Sequence, residues 1–283
     1  HSIEVSTIAK QLGIMCFQNT SFYQHLPIDY DERDNKKLIT QRVGDIEAIL
    51  SCAGLLHDLG NPPFGHVGEE IIREWFKDNL KKIYSLKSKD EKPVSELLNQ
   101  KQIMDLENFE GNAQALRILS KARYQRELNL PFSIISALIK YPTRCDEIDK
   151  TNIRHKMGCY QAEENAFLDI AKEVGTIRNE GIVIRHPLAY LVEAADDIAY
   201  MTADLEDAVK SGIISVNDLL YFFQDTYESL GEKYGECKQH VERTKEIINK
   251  LDYLNRAEKD KTKVMSQWGT YLRRWLMYVV CWR

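Results

Sequence analysis

At 283 residues and 43% hydrophobic content, the chain holds enough apolar material for one large or two modest domains with an ample core. Its 38 basic residues stand against 43 acidic ones, net −5, so the whole-protein field does not gather anions and any phosphate clamp must be local. Six scattered cysteines without CxxC spacing argue against a zinc cluster or disulfide frame, and no signal peptide or apolar run of about 18 residues is seen, so the expectation is a soluble, cytoplasmic protein with reduced thiols.

His1 falls in register with Val5, Ile8 and Leu12, a spacing that makes one helical face. A histidine there reads either as a core residue or as a metal ligand. Ile46, Ile49, Leu50 and Ala53 carry the helical period into Leu56-His57-Asp58-Leu59-Gly60-Asn61-Pro62-Pro63-Phe64-Gly65-His66-Val67-Gly68-Glu69. His57 and Asp58 are about 100° apart on a helix, so both reach one ion only near a helix end. Gly60, Pro62 and Pro63 supply that end. Imidazole with carboxylate suits a borderline-hard divalent ion such as Mn²⁺, Fe²⁺, Zn²⁺ or Mg²⁺. His66 and Glu69 share a face of the next helix, where the carboxylate can hold the imidazole in one tautomer as an acid/base pair. The plainer alternative is a helix cap followed by an acid that favours the positive N-terminus. Gly65 and Gly68 leave room for a phosphate at that helix start.

Ile71, Ile72, Trp75 and Phe76 extend this helix, and residues 81–101, rich in Lys, Ser and acids, are expected to form an exposed excursion. Leu116, Ile118 and Leu119 again show helical spacing. Lys140, Arg117 and Arg273 are candidate phosphate contacts, with solvated surface charge as the alternative. Tyr141 and Tyr200 can stack on a base or abut a deoxyribose, where a tyrosine against the 2′ position would exclude a ribonucleotide. Gly175 to Gly181 with Ile182-Val183-Ile184 reads as a loop or short extended piece. Pro187 starts a helix whose buried stripe is Leu188, Val192, Ala195, Ala199 and Ala203. Asp196, Tyr200 and Asp204 form a second stripe along its edge. An inward aspartate costs several kcal/mol unless it is paired or binds a cation, which makes Asp196 a candidate ligand. Asp197 reads as a cap partner or surface charge. Residues 228–263 interleave lysines with glutamates and read as solvent-facing helices. No long Val/Ile/Thr-rich run with period two is present, so the fold class is all-α.

The segment from His57 to Glu69 closely resembles the HD-domain deoxynucleoside triphosphate triphosphohydrolases, the bacterial dGTPase-like group. Three more blocks agree, in order. His1-Ser2-Ile3-Glu4-Val5 resembles the family's first metal-histidine helix. Phe109-Glu110-Gly111-Asn112-Ala113-Gln114 resembles its FEGNAQ block, with Lys140-Tyr141 downstream, and Glu193 to Ala208 resembles the block holding the last metal aspartate. The resemblance implies an HD-type helical bundle with a metal site in its centre over residues 1–210, then an incomplete helical C-terminal region over 211–283. It implies His1, His57, Asp58 and Asp196 as ligands of one divalent ion, Mn²⁺ or Mg²⁺ ahead of Fe²⁺, Zn²⁺ or Co²⁺. It implies His66 as the catalytic histidine with Glu69 as its partner, and Asn61, Lys140, Tyr141, Tyr200, Asp204 and Arg273 as substrate contacts.

The reaction so implied is hydrolysis of a dNTP, dGTP favoured, to deoxynucleoside and intact inorganic triphosphate by water attack at the α-phosphorus. A homo-oligomer, and a nucleotide effector or single-stranded DNA, are the further partners implied, and no membrane. Asn61 and Phe109 stand where the animal relatives carry histidines, as in bacterial dGTPase, which suggests that branch; another HD nucleotidase or phosphodiesterase is the alternative, and Asn61 weighs against a two-metal phosphodiesterase. The intact set of candidate ligands weighs against a catalytically silent nucleotide sensor or nucleic-acid-binding regulator. The chain begins at the first candidate ligand, without the Arg-rich segment that precedes it in the family, and stops in the apolar run Trp275–Trp282, so it is expected to be a piece of something longer.

Overall fold

Helical period governs the chain nearly throughout. The structure, a computed structural model, describes residues 1–18, 35–86, 96–124, 128–149, 151, 154–178, 181–233 and 238–282. Among the described residues there are eleven α-helices: α1 Ser2–Gln18, α2 Asn35–Leu56, α3 Gly65–Tyr84, α4 Gln100–Glu107, α5 Gly111–Tyr124, α6 Phe132–Leu138, α7 Glu164–Glu173, α8 Pro187–Lys210, α9 Val216–Lys233, α10 Lys238–Ala257 and α11 Lys261–Trp282. The all-α expectation holds. The short extended piece is a lone antiparallel bridge between Ile177 and Val183; residues 179–180 lie outside the described residues.

Two compact units divide the chain. Ala48–Glu193, with Ser2, form the central unit; His1, Ile3–Glu47 and Ala194–Arg283 form the terminal unit. In the central unit, Leu116 on α5, Ile135 on α6 and Phe167 and Ile170 on α7 close one core, with Val183 packed in. Ala113, Cys145, Met157 and Tyr160 form a smaller one. A capping box starts α4: Asn99 Oδ1 accepts from the Gln102 N–H at 3.0 Å, and Gln102 Oε1 accepts from the Asn99 N–H at 2.9 Å. Gly60 lets the turn after α2 lie directly on the start of α5, because a Cβ at this position would run into the backbone of Gly111 and Ala115. Phe64 (φ 67°) and Gly65 (φ 54°) are consecutive left-handed residues that swing the chain out of the Pro-Pro turn into α3. For Phe64 that conformation is strained, and the strain sits two residues before His66.

In the terminal unit α9, α10 and α11 pack around Trp268, which is fully buried and donates from Nε1 to the Ile247 carbonyl at 3.1 Å. Leu219, Leu220, Ile248, Leu251 and Leu254 complete this core. Val5, Ile8 and Leu12 are buried on α1 as their spacing predicts. His1 itself precedes the helix and is exposed, so the core-residue alternative for it falls. Along α8, Leu188, Val192, Ala195 and Ala199 are buried, Ala203 is half-buried, and Asp197, Tyr200 and Asp204 are exposed.

Of residues 81–101, expected as an exposed excursion, α3 takes the first four, to Tyr84, and α4 begins at Gln100, while 87–95 lie outside the described residues. Ile71, Trp75 and Ile118 lie on helices as their spacing predicts but are exposed, and Val67, Ile71 and Trp75 make one apolar stripe on α3. Period alone marks a shared face and does not say what covers it. Within 228–263, Ile248, Leu251 and Leu254 give α10 a buried side; 234–237, with Cys237, lie outside the described residues. The other five cysteines are thiols, with Cys16 Sγ 3.0 Å from Cys281 Sγ.

Candidate active site

The end of α2 sets the first pair. His57 Nδ1 lies 2.8 Å from the Gly54 carbonyl, which can only accept, so Nδ1 carries the proton and Nε2 a lone pair in the neutral ring. Nε2 is 3.2 Å from Asp58 Oδ2, and Asn61 Nδ2 donates to Asp58 Oδ1 at 2.8 Å. A lone pair facing a carboxylate oxygen is repulsive unless a cation sits between them. The imidazole that donates its other N–H to a backbone carbonyl is the usual posture of a metal-ligating histidine. Asn61, expected on the substrate, is thus placed on the Asp58 carboxylate.

In the terminal unit, His1 Nε2 lies 2.9 Å from Asp196 Oδ1, each side chain about a third exposed. Each unit therefore holds one imidazole–carboxylate pair of its own. Nitrogen and carboxylate oxygen together fit a borderline-hard divalent ion, and they fit a soft one or a thiolate cluster poorly.

His66, in the first turn of α3, is largely exposed, whereas Glu69 is only 2% exposed. Its Nδ1–H donates to Glu69 Oε2 at 3.0 Å, which leaves Nε2 as the atom that gains or loses a proton. The other oxygen, Oε1, accepts from the N–H of Gly111 at 2.8 Å, where the N-terminus of α5 favours negative charge. A Cβ at Gly111 would meet Asn61 Oδ1 and Glu69 Oε1, so both side chains would have to shift to admit one.

Behind Glu69 lies a second buried carboxylate, Glu110. Lys156 Nζ is 3.0 Å from Glu110 Oε1 and 3.9 Å from Glu69 Oε2; Arg73 Nη1 is 3.5 Å from Glu110 Oε2 and 3.9 Å from Glu69 Oε2. Two carboxylates are so matched by two cations, which is what lets them stay buried. Arg73 also donates to the Phe109 carbonyl at 3.0 Å. Sequence reasoning missed Arg73, Glu110 and Lys156. Arg73, four residues past Glu69 on a helix, carried a readable signal; Glu110 stood unremarked inside a recognised block; Lys156 offered no local pattern.

Of the remaining candidates, Lys140 Nζ is 3.0 Å from Glu193 Oε1, and Arg185 Nη1 is 2.6 Å from Glu193 Oε2. Burial pulls the Glu193 pKa up, but these two hydrogen bonds outweigh it and hold the carboxyl below its ordinary range. Tyr141 lies beside Lys140, whose Nζ is 5.8 Å from its ring centre. Tyr200 and Asp204 follow Asp196 one and two turns along α8, both exposed. Arg273 Nη1 is 2.8 Å from Glu4 Oε1 and 3.2 Å from Thr202 Oγ1, in the wall of an 830 Å³ cavity that His1 also lines. The Arg117 guanidinium lies 5.9 Å from the Tyr160 ring centre.

The HD domain family model matches residues 1–137, the stretch that carries His1, His57, Asp58, His66 and Glu69. Over those residues, just under half of its length, the chain is similar to HD-domain proteins. Its relatives narrow the class: it is 44% identical over 251 residues to a deoxyguanosinetriphosphate triphosphohydrolase-like protein of Listeria monocytogenes, covering 86% of this chain and 50% of the relative. It is 35% identical over 260 residues to the deoxyguanosinetriphosphate triphosphohydrolase of Yersinia enterocolitica, covering 83% of this chain and 46% of that one. A probable deoxyguanosinetriphosphate triphosphohydrolase of Pseudomonas aeruginosa is 41% identical over 182 residues, 62% of this chain and 35% of its own length. The chain spans about half the length of the curated relatives it matches first.

Proposed function

We propose that this chain is the catalytic part of a metal-dependent deoxynucleoside triphosphate triphosphohydrolase, dGTP favoured, with its core in residues 1–210. One observation carries the reading: an exposed imidazole whose tautomer is set by a buried, doubly anchored carboxylate, nine residues beyond an oriented His57–Asp58 pair. The names of the relatives supply the substrate.

In this reading His1, His57, Asp58 and Asp196 hold one divalent ion, Mn²⁺ or Mg²⁺. Such an ion supplies Lewis-acid polarisation of a phosphoryl oxygen and a water of lowered pKa. His66 moves the proton: with Nδ1 engaged by Glu69, Nε2 takes a proton from the attacking water and returns it to the leaving O5′. Water oxygen bonds to the α-phosphorus, the bond from phosphorus to O5′ breaks, and deoxynucleoside and intact triphosphate separate. Lys140 and Arg273 meet the phosphates, Tyr141 stacks on the base or abuts the deoxyribose, Asn61 keeps Asp58 aimed, and Tyr200 and Asp204 meet the sugar and phosphates. Tyr200 against the 2′ carbon excludes the ribonucleotide hydroxyl, so dGTP is hydrolysed and GTP is not. A cytoplasmic homo-oligomer that responds to a nucleotide effector or single-stranded DNA belongs to the same proposal; among the described residues no helix is long and apolar enough to cross a membrane.

The test is His66→Ala assayed with dGTP and Mn²⁺, alongside Mn²⁺ binding by calorimetry. Turnover falls by about 10²–10⁴-fold while metal binding persists; turnover unchanged in the variant removes His66 from the mechanism.

A further inference from the structure

Two thiols that stand 265 positions apart in the sequence meet in the terminal unit. Cys16 lies in the last turn of α1 and Cys281 in the last turn of α11, both half-buried, with their sulfur atoms 3.0 Å apart. Cys281 Sγ is also 3.7 Å from the carbonyl of Leu12, one turn before Cys16. Packing fixes the backbone on both sides: Leu12 and Phe17 are buried on α1, and Met277 is buried on α11. The same two helices are joined a second time where Arg273 Nη1 lies 2.8 Å from Glu4 Oε1.

A disulfide holds its sulfurs about 2.0 Å apart, so closing this pair takes a movement of about 1 Å. Thiol–disulfide exchange starts from a thiolate, and the two positions differ in how readily they form one. When Cys16 ionises, the Cys281 S–H can turn to it from the Leu12 carbonyl. That hydrogen bond outweighs burial and lowers the Cys16 pKa, while the same contact, with burial, raises that of Cys281. One thiol is thus poised to attack and its neighbour is kept as S–H to resolve the product. Cys145 and Cys159 behave otherwise: both are buried, and burial pushes their thiols up, Cys145 to about 12, which leaves them inert.

We propose that Cys16 and Cys281 form a site of reversible oxidation, closed to an intrachain disulfide by a low-molecular-weight disulfide such as oxidised glutathione. The Cys16 thiolate attacks one sulfur of that disulfide, its S–S bond breaks, and one glutathione thiolate leaves. Cys281 gives up its proton and attacks the Cys16 sulfur of the mixed disulfide, and the second glutathione thiolate leaves. Each departing thiolate takes up the proton its attacker released. Two protein thiols are oxidised while one glutathione disulfide is reduced to two thiols. The new bond staples the end of α1 to the end of α11. In a reducing compartment such a bond is transient, which suits a regulatory tie better than a structural one. The site lies outside the proposed reaction and does not depend on it.

To test this, the full chain is equilibrated with reduced and oxidised glutathione at graded ratios, trapped by alkylation, digested and mapped by mass spectrometry. A peptide pair joining Cys16 to Cys281 grows as the oxidised form rises and disappears with dithiothreitol. The oxidised chain melts about 5 °C higher than the reduced one. Cys16→Ser and Cys281→Ser each lose both the cross-link and the shift, and Cys281→Ser holds one glutathione on Cys16 in its place. Mapping of the unmodified chain does not require either variant to fold. Four outcomes overturn the proposal: both thiols alkylated at every ratio, stable glutathione adducts on both, a cross-link to another cysteine or between two chains, or a Cys16–Cys281 cross-link that leaves the thermal midpoint unmoved.

Discussion

Glu69 shows how a single carboxylate can be worth burying. Its two oxygens are spent on His66 and on the first N–H of α5, and Arg73 and Lys156 stand within 3.9 Å to balance it and Glu110. Glu69→Gln keeps the size but weakens the hold on the imidazole tautomer, so kcat for dGTP falls by about 10–100-fold with KM little changed. A rise in KM with kcat intact would place Glu69 in substrate binding instead. Lys156→Met removes a cation from two buried acids, which costs about 3–5 kcal/mol in urea unfolding; a loss within about 0.5 kcal/mol would show that Arg73 alone suffices. His66 and Glu69 were legible in the sequence because both lie on one helix, three residues apart. Glu110 and Lys156 meet across 46 residues, and no local period encodes such a contact.

At the scale of elements, the turn from α2 to α3 does the positioning. Gly60→Ala drives a methyl group into the backbone of α5, and a stability loss of about 1–3 kcal/mol is expected by chemical unfolding; an unchanged midpoint would mean the turn and α5 move apart freely. The start of α8 carries a pH dependence. His186 Nδ1 accepts from the Leu188 N–H at 3.1 Å, an acceptor role that protonation removes, and burial lowers the His186 pKa below its ordinary value of about 6.5. The unfolded chain then binds more protons than the folded one, so His186 withdraws stability as pH falls below about 6.5, and not above it. His186→Asn keeps a cap without the titration, and its thermal midpoint therefore declines less between neutral and acidic pH than that of the unmodified chain. Equal declines in the two proteins would assign the acid sensitivity elsewhere. Helix positions were legible because apolar spacing and Pro or Gly boundaries recur along the chain. The left-handed Phe64 was not, because nothing in a phenylalanine announces a positive φ.

For the whole molecule, the all-α class followed from periodicity, while the compact units did not follow chain order: residues before Glu47 join those after Ala194. A sequence read from left to right has no signal for such a pairing. The exposed stripe of Val67, Ile71 and Trp75 escaped for a related reason, since the same period marks a core face and an uncovered one. The assigned ligand set makes its own prediction. Mn²⁺ raises the thermal midpoint of the chain, a chelator reverses this, and His57→Ala abolishes the shift. A shift retained in His57→Ala would locate the ion elsewhere. The central claim, triphosphohydrolysis, is tested most directly by incubating the protein with dGTP and Mn²⁺ in heavy-oxygen water and identifying the phosphate product by phosphorus NMR and mass spectrometry. Intact triphosphate carrying the heavy oxygen on a terminal phosphorus, with unlabelled deoxyguanosine, is the predicted result. Orthophosphate or pyrophosphate as the first product, or label on the nucleoside, would contradict it.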